Sequence, residues 1–179
     1  MFKKILIATC LLITTNFVQA QEGHFDLGIE FQAYPTGILP GLKAAIGIGE
    51  HSALHLRVGA NIFDHRDLGV QEQEEGSGWG FTLGYQYYFG EDHSKFFLGI
   101  RNDLWWNSVD WETDGVMGTT DIFVVQPTAI GGYAIPLADG KLIFEPALGL
   151  GFEINVKTEG EPTGEGAIGL AGFSLAYRF

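Results

Sequence analysis

The sequence predicts an all-β fold, an eight-stranded antiparallel transmembrane β-barrel with up-and-down meander connectivity. Three observations carry the prediction. Hydrophobicity alternates with period two over eight segments, the pattern of strands whose two faces differ chemically. The connections between these segments read as alternately short and long, and aromatic side chains collect near the strand ends of the apolar stripe.

Composition narrows the field further. The chain has 179 residues, 26 glycines, 13% aromatic residues and a formal charge of −12, with a mean hydropathy of +0.12. That length suits one domain. Nucleic-acid binding is excluded, because it needs clustered Lys and Arg and here acids outnumber bases 22 to 10. No apolar run reaches the ~18 residues of a membrane helix, so the hydrophobicity of this acidic chain is spent on strands.

Residues 1–20 read as a secretory signal peptide. Lys3 and Lys4 supply the basic start, residues 5–13 the apolar stretch, and Val18-Gln19-Ala20 the cleavage site. Cys10 raises the alternative of a lipidated cysteine, but it lies inside the apolar run rather than at its end. The barrel domain is then residues 21–179, with eight bases against 22 acids and a charge of −14. It contains no cysteine, so disulfides and thiolate chemistry are absent from it.

The strands follow in order. Phe25, Leu27, Ile29, Phe31 and Ala33 alternate with Asp26, Gly28, Glu30 and Gln32. Leu42, Ala44, Ile46 and Ile48 form the second stripe, and Leu54, Leu56, Val58, Ala60 and Ile62 the third. The fourth runs from Trp79 through Phe81, Leu83, Tyr85 and Tyr87 to Phe89, against Gly80, Thr82, Gly84 and Gln86. The fifth, about residues 95–107, sets Phe96, Leu98, Ile100, Leu104 and Trp106 opposite Arg101 and Asp103, with Asn102 on the apolar side. In the sixth, about 122–135, Phe123, Val125, Pro127, Ala129 and Tyr133 make the apolar face. Leu142 to Ile154 supply the seventh stripe, and Ala167 to Phe179 the eighth.

Short connections are expected near residues 49–52, 90–94 and 136–140, the last with an Asp139-Gly140 turn pair. Long ones are expected at 34–41, 64–77, 108–121 and 156–164. Even strand number with short turns at one end and long polar loops at the other matches an outer-membrane barrel, turns in the periplasm and loops outside. The large aromatics occupy the stripe while the opposite face is small and polar, which suits a narrow filled interior with lipid outside. A soluble lipocalin-like barrel is the alternative, and it requires the aromatics to point inward.

The chain end, Gly172-Phe-Ser-Leu175-Ala-Tyr177-Arg-Phe179, resembles the C-terminal assembly signal of bacterial outer-membrane β-barrel proteins. With the signal peptide and eight strands, the whole mature chain resembles the small eight-stranded members of that group. The resemblance implies insertion by the barrel-assembly machinery and residence in the bacterial outer membrane. It implies no reaction.

Inward positions carry Lys43, Arg57, Arg101 and Arg178 against Asp26, Glu30, Asp103, Glu145 and Glu153. Unpaired charge in a narrow lumen is costly, so a cross-strand ion-pair network plugging the barrel is expected, with Arg178 beside Asp26 near the periplasmic end. A conducting, porin-like lumen is the alternative use of the same residues. Inward His55 is a further member of this face. The three acidic connections at 64–77, 108–121 and 156–165 together carry −10, which places the acidity outside.

Residues 110–121 also invite a calcium reading. Asp110, Glu112, Asp114 and Asp121 stand at positions 1, 3, 5 and 12 of a twelve-residue segment with Gly115 at position 6. The departures are Glu at position 3, Asp at position 12, and strands in place of flanking helices. No other cofactor is indicated. A lipid-modifying enzyme would need a Ser, a His and an acid at the membrane edge. His51-Ser52 and His93-Ser94 are the nearest matches, but adjacent strand residues point apart and both pairs lie in turns. Expected partners are outer-membrane lipids and the assembly machinery, with the folded barrel a monomer; the leading role is structural or surface-interacting, with a lipid-modifying enzyme or small channel as alternatives.

Overall fold

The structure is a computed structural model and describes residues 23–64 and 69–179. The signal-peptide reading of residues 1–20 lies outside those residues. The eight strands are β1 (Phe25–Tyr34), β2 (Gly37–Ile48), β3 (Ser52–Phe63), β4 (Gln73–Tyr88), β5 (Lys95–Thr113), β6 (Val116–Leu137), β7 (Leu142–Glu159) and β8 (Gly166–Arg178). Each pairs antiparallel with the next, and β1 pairs with β8 to close the ring. Closure joins the two edges that an open sheet would leave with unpaired N–H and C=O groups.

The faces are inverted relative to a soluble protein. Large apolar residues point outward, among them Ile100, 68% exposed, and Leu150, 76% exposed. The inward face buries Glu30, Lys43, Arg57, Arg101 and Asp103. The aromatics of the stripe point outward, among them Trp79, Tyr87, Phe89, Phe96, Phe152 and Phe179, where the lipocalin-like alternative requires them inside.

The expectations about all four long connections need correction. Residues 34–41 form no long loop, because β1 and β2 meet across Pro35 and Thr36. Residues 108–121 are the continuation of β5 and β6, joined at the two-residue turn Asp114-Gly115. Both turn residues have positive φ, 52° and 77°, the geometry of the tight turn that Asp-Gly favours. Likewise β4 begins at Gln73 and β7 continues to Glu159, so the sheet extends well into two more of the expected loops. The alternation lies in strand extension rather than loop length, and β6 reaches 22 residues.

These extensions have a physical cause. Val109 and Trp111 continue the inward face of β5 above Trp105 and Asn107, while Ser108, Asp110 and Glu112 continue the outward face. Alternation persists, but its sense changes from apolar-out to polar-out. Inside this upper section Leu39, Phe63, Trp105, Val109, Ile122, Val124, Ile168 and Leu170 pack together. A second apolar cluster, Ala53, Tyr88, Phe97, Ile130, Ala134 and Ile143, packs inside nearer the opposite end.

Gly28 sits at the closing seam, where an added Cβ would lie 2.1 Å from the Leu175 carbonyl oxygen and 2.4 Å from Ala176 Cα. Both obstacles are backbone, so Gly28→Val should weaken closure. In gels of detergent-folded protein run without boiling, the compact fast-migrating form should diminish in Gly28→Val. It should persist in Gly169→Ala, whose added Cβ meets nothing within 4 Å.

Candidate functional site

The barrel interior is organised in layers, and a polar layer lies between the two apolar clusters. At its centre Arg57 Nη1 donates to Glu30 Oε1 at 3.0 Å and Arg57 Nη2 to Asp103 Oδ1 at 3.0 Å. Arg101 faces the same two carboxylates, with Nη1 3.2 Å from Glu30 Oε1 and Nε 3.0 Å from Asp103 Oδ2. Gln32 Oε1 accepts from both guanidinium groups, at 3.2 Å and 2.5 Å. Thr82 and Thr128 donate their hydroxyls to Asp103, and the Arg57 guanidinium lies 5.2 Å from the Trp105 ring centroid. Two cations and two anions thus share one desolvated volume, with hydroxyls and an amide satisfying further hydrogen-bonding positions.

A second unit lies toward the short-turn end. Lys43 Nζ bonds Glu145 Oε2 at 2.6 Å and lies 4.0 Å from Glu30 Oε2. Glu145 also accepts from Ser174 Oγ at 2.8 Å and Tyr88 Oη at 2.7 Å. At the end itself Arg178 donates from Nε and Nη2 to the two Asp26 oxygens, at 2.9 and 2.8 Å, and from Nη1 to the Asp92 carbonyl at 2.9 Å. Glu153 is buried on the inward face of β7. His55 is buried as well, its ring edge against Gly84, but neither ring nitrogen hydrogen-bonds to the surrounding network.

The short-turn end carries a compact histidine contact. His24 and His93 meet edge to face with centroids 4.2 Å apart, and His93 Nε2 donates to the Ser52 carbonyl at 2.8 Å. Burial pushes the His93 pKa below its ordinary value, and the neighbouring His24 and Arg178 push the same way. His51 Nδ1 meets the Gly90 carbonyl at 3.1 Å; Ser94 Oγ donates to the Glu91 carbonyl at 2.6 Å. The His-Ser pairs therefore fasten turns to backbone, and neither histidine bonds its neighbouring serine as a base would a nucleophile.

The opposite end is organised by Glu74, which the sequence pattern leaves among solvated loop acids. Glu74 is only 1% exposed, and its carboxylate accepts from the backbone N–H of Val70 at 2.8 Å, Gln71 at 3.1 Å and Gly164 at 3.1 and 3.2 Å. Gln71 Nε2 donates to the Pro162 carbonyl at 3.0 Å, and Thr120 Oγ1 to the Glu161 carbonyl at 3.0 Å. Segments from two connections are so drawn together over the barrel end. The signal available in sequence was position: Glu74 falls on the even-numbered, inward set of β4 with Thr82 and Gln86.

The hairpin that replaces the expected loop also spaces out the four acids of the calcium reading. Asp110 lies opposite Thr119, Glu112 opposite Met117 and Asp121 opposite Ser108, while Asp114 occupies the tip. A strand spaces residues by about 3.3 Å, so the four carboxylates are strung along the hairpin instead of converging. Among the described residues no group of three or more His, Cys, Asp or Glu is placed to hold a metal ion.

No family model matches the chain, and no curated protein matches it. Solved structures do share its architecture. A major outer membrane protein from Thermus thermophilus is similar with a TM-score of 0.58 at 16% identity, covering 89% of this chain and 100% of that one. The N-terminal β-barrel domain of Pseudomonas aeruginosa OprF gives a TM-score of 0.54 at 14% identity, over 88% of this chain and 100% of that one. This chain has the fold of a small outer-membrane barrel. Ail, the attachment invasion locus protein of Yersinia pestis, shares it with a TM-score of 0.54 at 8% identity, over 88% and 97% of the two chains. At these identities the outer-membrane barrel fold is common and the residues inside it are this chain's own.

Arg57→Met leaves Glu30 and Asp103 with one guanidinium between them in a buried volume. Removing one partner of a buried ion pair costs about 3–5 kcal/mol, so the variant should unfold at distinctly lower urea when detergent-folded wild type and variant are compared by tryptophan emission. A separate prediction concerns pH. The folded state depresses the His93 pKa, so the unfolded chain takes up the proton first and stability is lost as pH falls below about 6.5. The urea midpoint should drop between pH 7.5 and 5, and the drop should be smaller in His93→Gln.

Proposed function

We propose that the protein works as a sealed outer-membrane barrel that presents acidic hairpins outside the cell, a structural and surface-interacting role. The observation that carries this reading is the layered interior: the Arg57–Glu30–Arg101–Asp103 group stands between two apolar clusters. An ion crossing such an interior would have to break charge-assisted bonds and then enter an apolar section, a double barrier. Glu74 and Arg178 add closing contacts at the two ends.

The exterior supports membrane residence. Outward Phe96 and Trp106 on β5 are ten residues apart, which at a rise of about 3.3 Å per residue and a tilt of about 40° is about 25 Å, the height of the lipid-facing band of such barrels. Beyond Trp106 the outward residues are polar and acidic. One of the similar structures is Ail in complex with the heparin analogue sucrose octasulfate. The outward acids here, Glu75 opposite Asp110 and Asp121 opposite Glu159, repel a polyanion and favour a cationic partner instead.

Planar-bilayer recording separates a seal from a channel. Folded protein, shown to be closed by its mobility change on boiling, should add no conductance steps to a bilayer. Reproducible steps from such a preparation would overturn the sealed reading and leave the channel.

A further inference from the structure

The outer wall carries a second feature at the rim of the apolar band. Lys157 on β7, Phe123 on β6, Trp106 on β5 and Trp79 on β4 lie directly opposite one another in successive strand pairs. They form one lateral row. The next row toward the loop end is Glu159, Asp121, Ser108 and Ser77. The row on the other side of the aromatics is apolar, with Val125, Leu104 and Phe81 in register.

The aromatic row is continuous. Trp79 and Trp106 stack with centroids 4.7 Å apart at 18°, and Phe123 follows at 4.8 Å from Trp106. Trp79 is 59% exposed. With the polar row these residues line an outward groove of about 530 Å³, within the range of small-ligand sites.

Aromatic residues at a membrane rim are ordinary, but the charged edge of this groove is built by a departure from regularity. On β7 the apolar stripe runs through Leu148, Leu150, Phe152 and Ile154, and strict period two would next place Val156 and Thr158 level with Phe123 and Asp121. The register shift between Phe123 and Val124 instead aligns Lys157 with Phe123 and Glu159 with Asp121. A bulge re-aims side chains in this way.

We propose that this groove binds the glycosyl headgroup of a membrane glycolipid, a proposal that rests on the outer-membrane reading. A sugar ring has a C–H face that packs on an indole, whose π-face is electron-rich. Its rim of hydroxyls suits the Asp121 carboxylate and the Ser77 and Ser108 hydroxyls one row above, hydrogen bonds of the stronger kind when the acceptor is charged. An anionic phosphate fits less well, since Lys157 is already paired with Glu159 and Asp121 stands beside them. An acyl chain has no use for the carboxylates. The lipid source follows from the level of the row, where headgroups begin and the acyl chain can lie along Val125, Leu104 and Phe81.

The test uses the folded protein in vesicles of phosphatidylcholine containing a minor share of neutral monoglycosyl diacylglycerol. The protein is extracted in detergent, and retained lipid is quantified by native mass spectrometry. Wild type should retain glycolipid well above its share in the vesicle. Trp106→Ala and Asp121→Asn should each lower that enrichment about fivefold, the scale of one aromatic or charge-assisted contact, while Phe152→Ala, outward on β7 away from the row, should not. Retention in proportion to vesicle composition overturns the proposal, and so does equal binding of free methyl glucoside by protein without lipid. Failure of the protein to enter vesicles, or loss of the mobility change on boiling, is scored separately and counts against the membrane reading itself.

Discussion

The antiparallel seam between β1 and β8 runs from Asp26 opposite Arg178 to Ala33 opposite Ala171, and the remaining features of the molecule are consequences of it. Once the last strand meets the first, the sheet has no edge between them, and its two faces become an outside and an inside. The seam is fastened beyond the backbone ladder by the two-point contact of Arg178 with Asp26 and by the Phe179 N–H donating to the Phe25 carbonyl at 2.9 Å. The terminal strand therefore both closes the ring and supplies the cation that neutralises an acid on the first strand.

Closure of eight strands leaves an interior narrow enough for side chains to fill, and this is why the inward charges meet. Lys43 on β2 reaches Glu145 on β7, and Arg101 on β5 reaches Glu30 on β1. In an open sheet such residues would stand on solvated positions far apart. Confinement converts an alternating pattern of isolated charges into shared networks, and the apolar clusters above and below deprive those networks of water, which strengthens each contact and raises the penalty for breaking one.

The strand count, the inward charges and the Arg178–Asp26 contact were legible in the sequence because period two assigns faces without any knowledge of partners. The tops of the strands were not, and the reason is visible in β5. Up to Trp106 the outward residues are apolar; from Ser108 they are polar, so the stripe that marked the strand ends while the strand continues. The Asp114-Gly115 pair was a hairpin signal, but it sat within a spacing of acids that also fitted a calcium loop. Aromatic doublets feed the interior clusters: in Tyr87-Tyr88, Phe96-Phe97 and Trp105-Trp106 one ring faces out and the other in, and the inward ring lies off the apolar stripe that marks each strand. Glu74 was lost for want of its partners, since the N–H groups it accepts from belong to residues 70, 71 and 164, and no spacing along the chain announces that meeting.

The change of sense on β5 has a structural logic that reaches beyond one strand. Below the Trp79–Trp106–Phe123 row the surroundings reward apolar residues outside, and charge is tolerated inside because it is paired. Above that row the surroundings are water, and the rule returns to that of a soluble protein, with Val109, Ile122 and Phe63 inside and Ser108, Asp110 and Asp121 outside. The same backbone ladder passes through both regimes without interruption, so the switch is made entirely by side chains. A hairpin projecting into water with its inward face left polar would have only its ladder to hold it, and isolated two-stranded hairpins are marginal. The apolar cluster under the extended ends, closed over by segments gathered at Glu74, gives the projecting hairpins a core of their own, which is what lets strands as long as β6 outlast the band that anchors them.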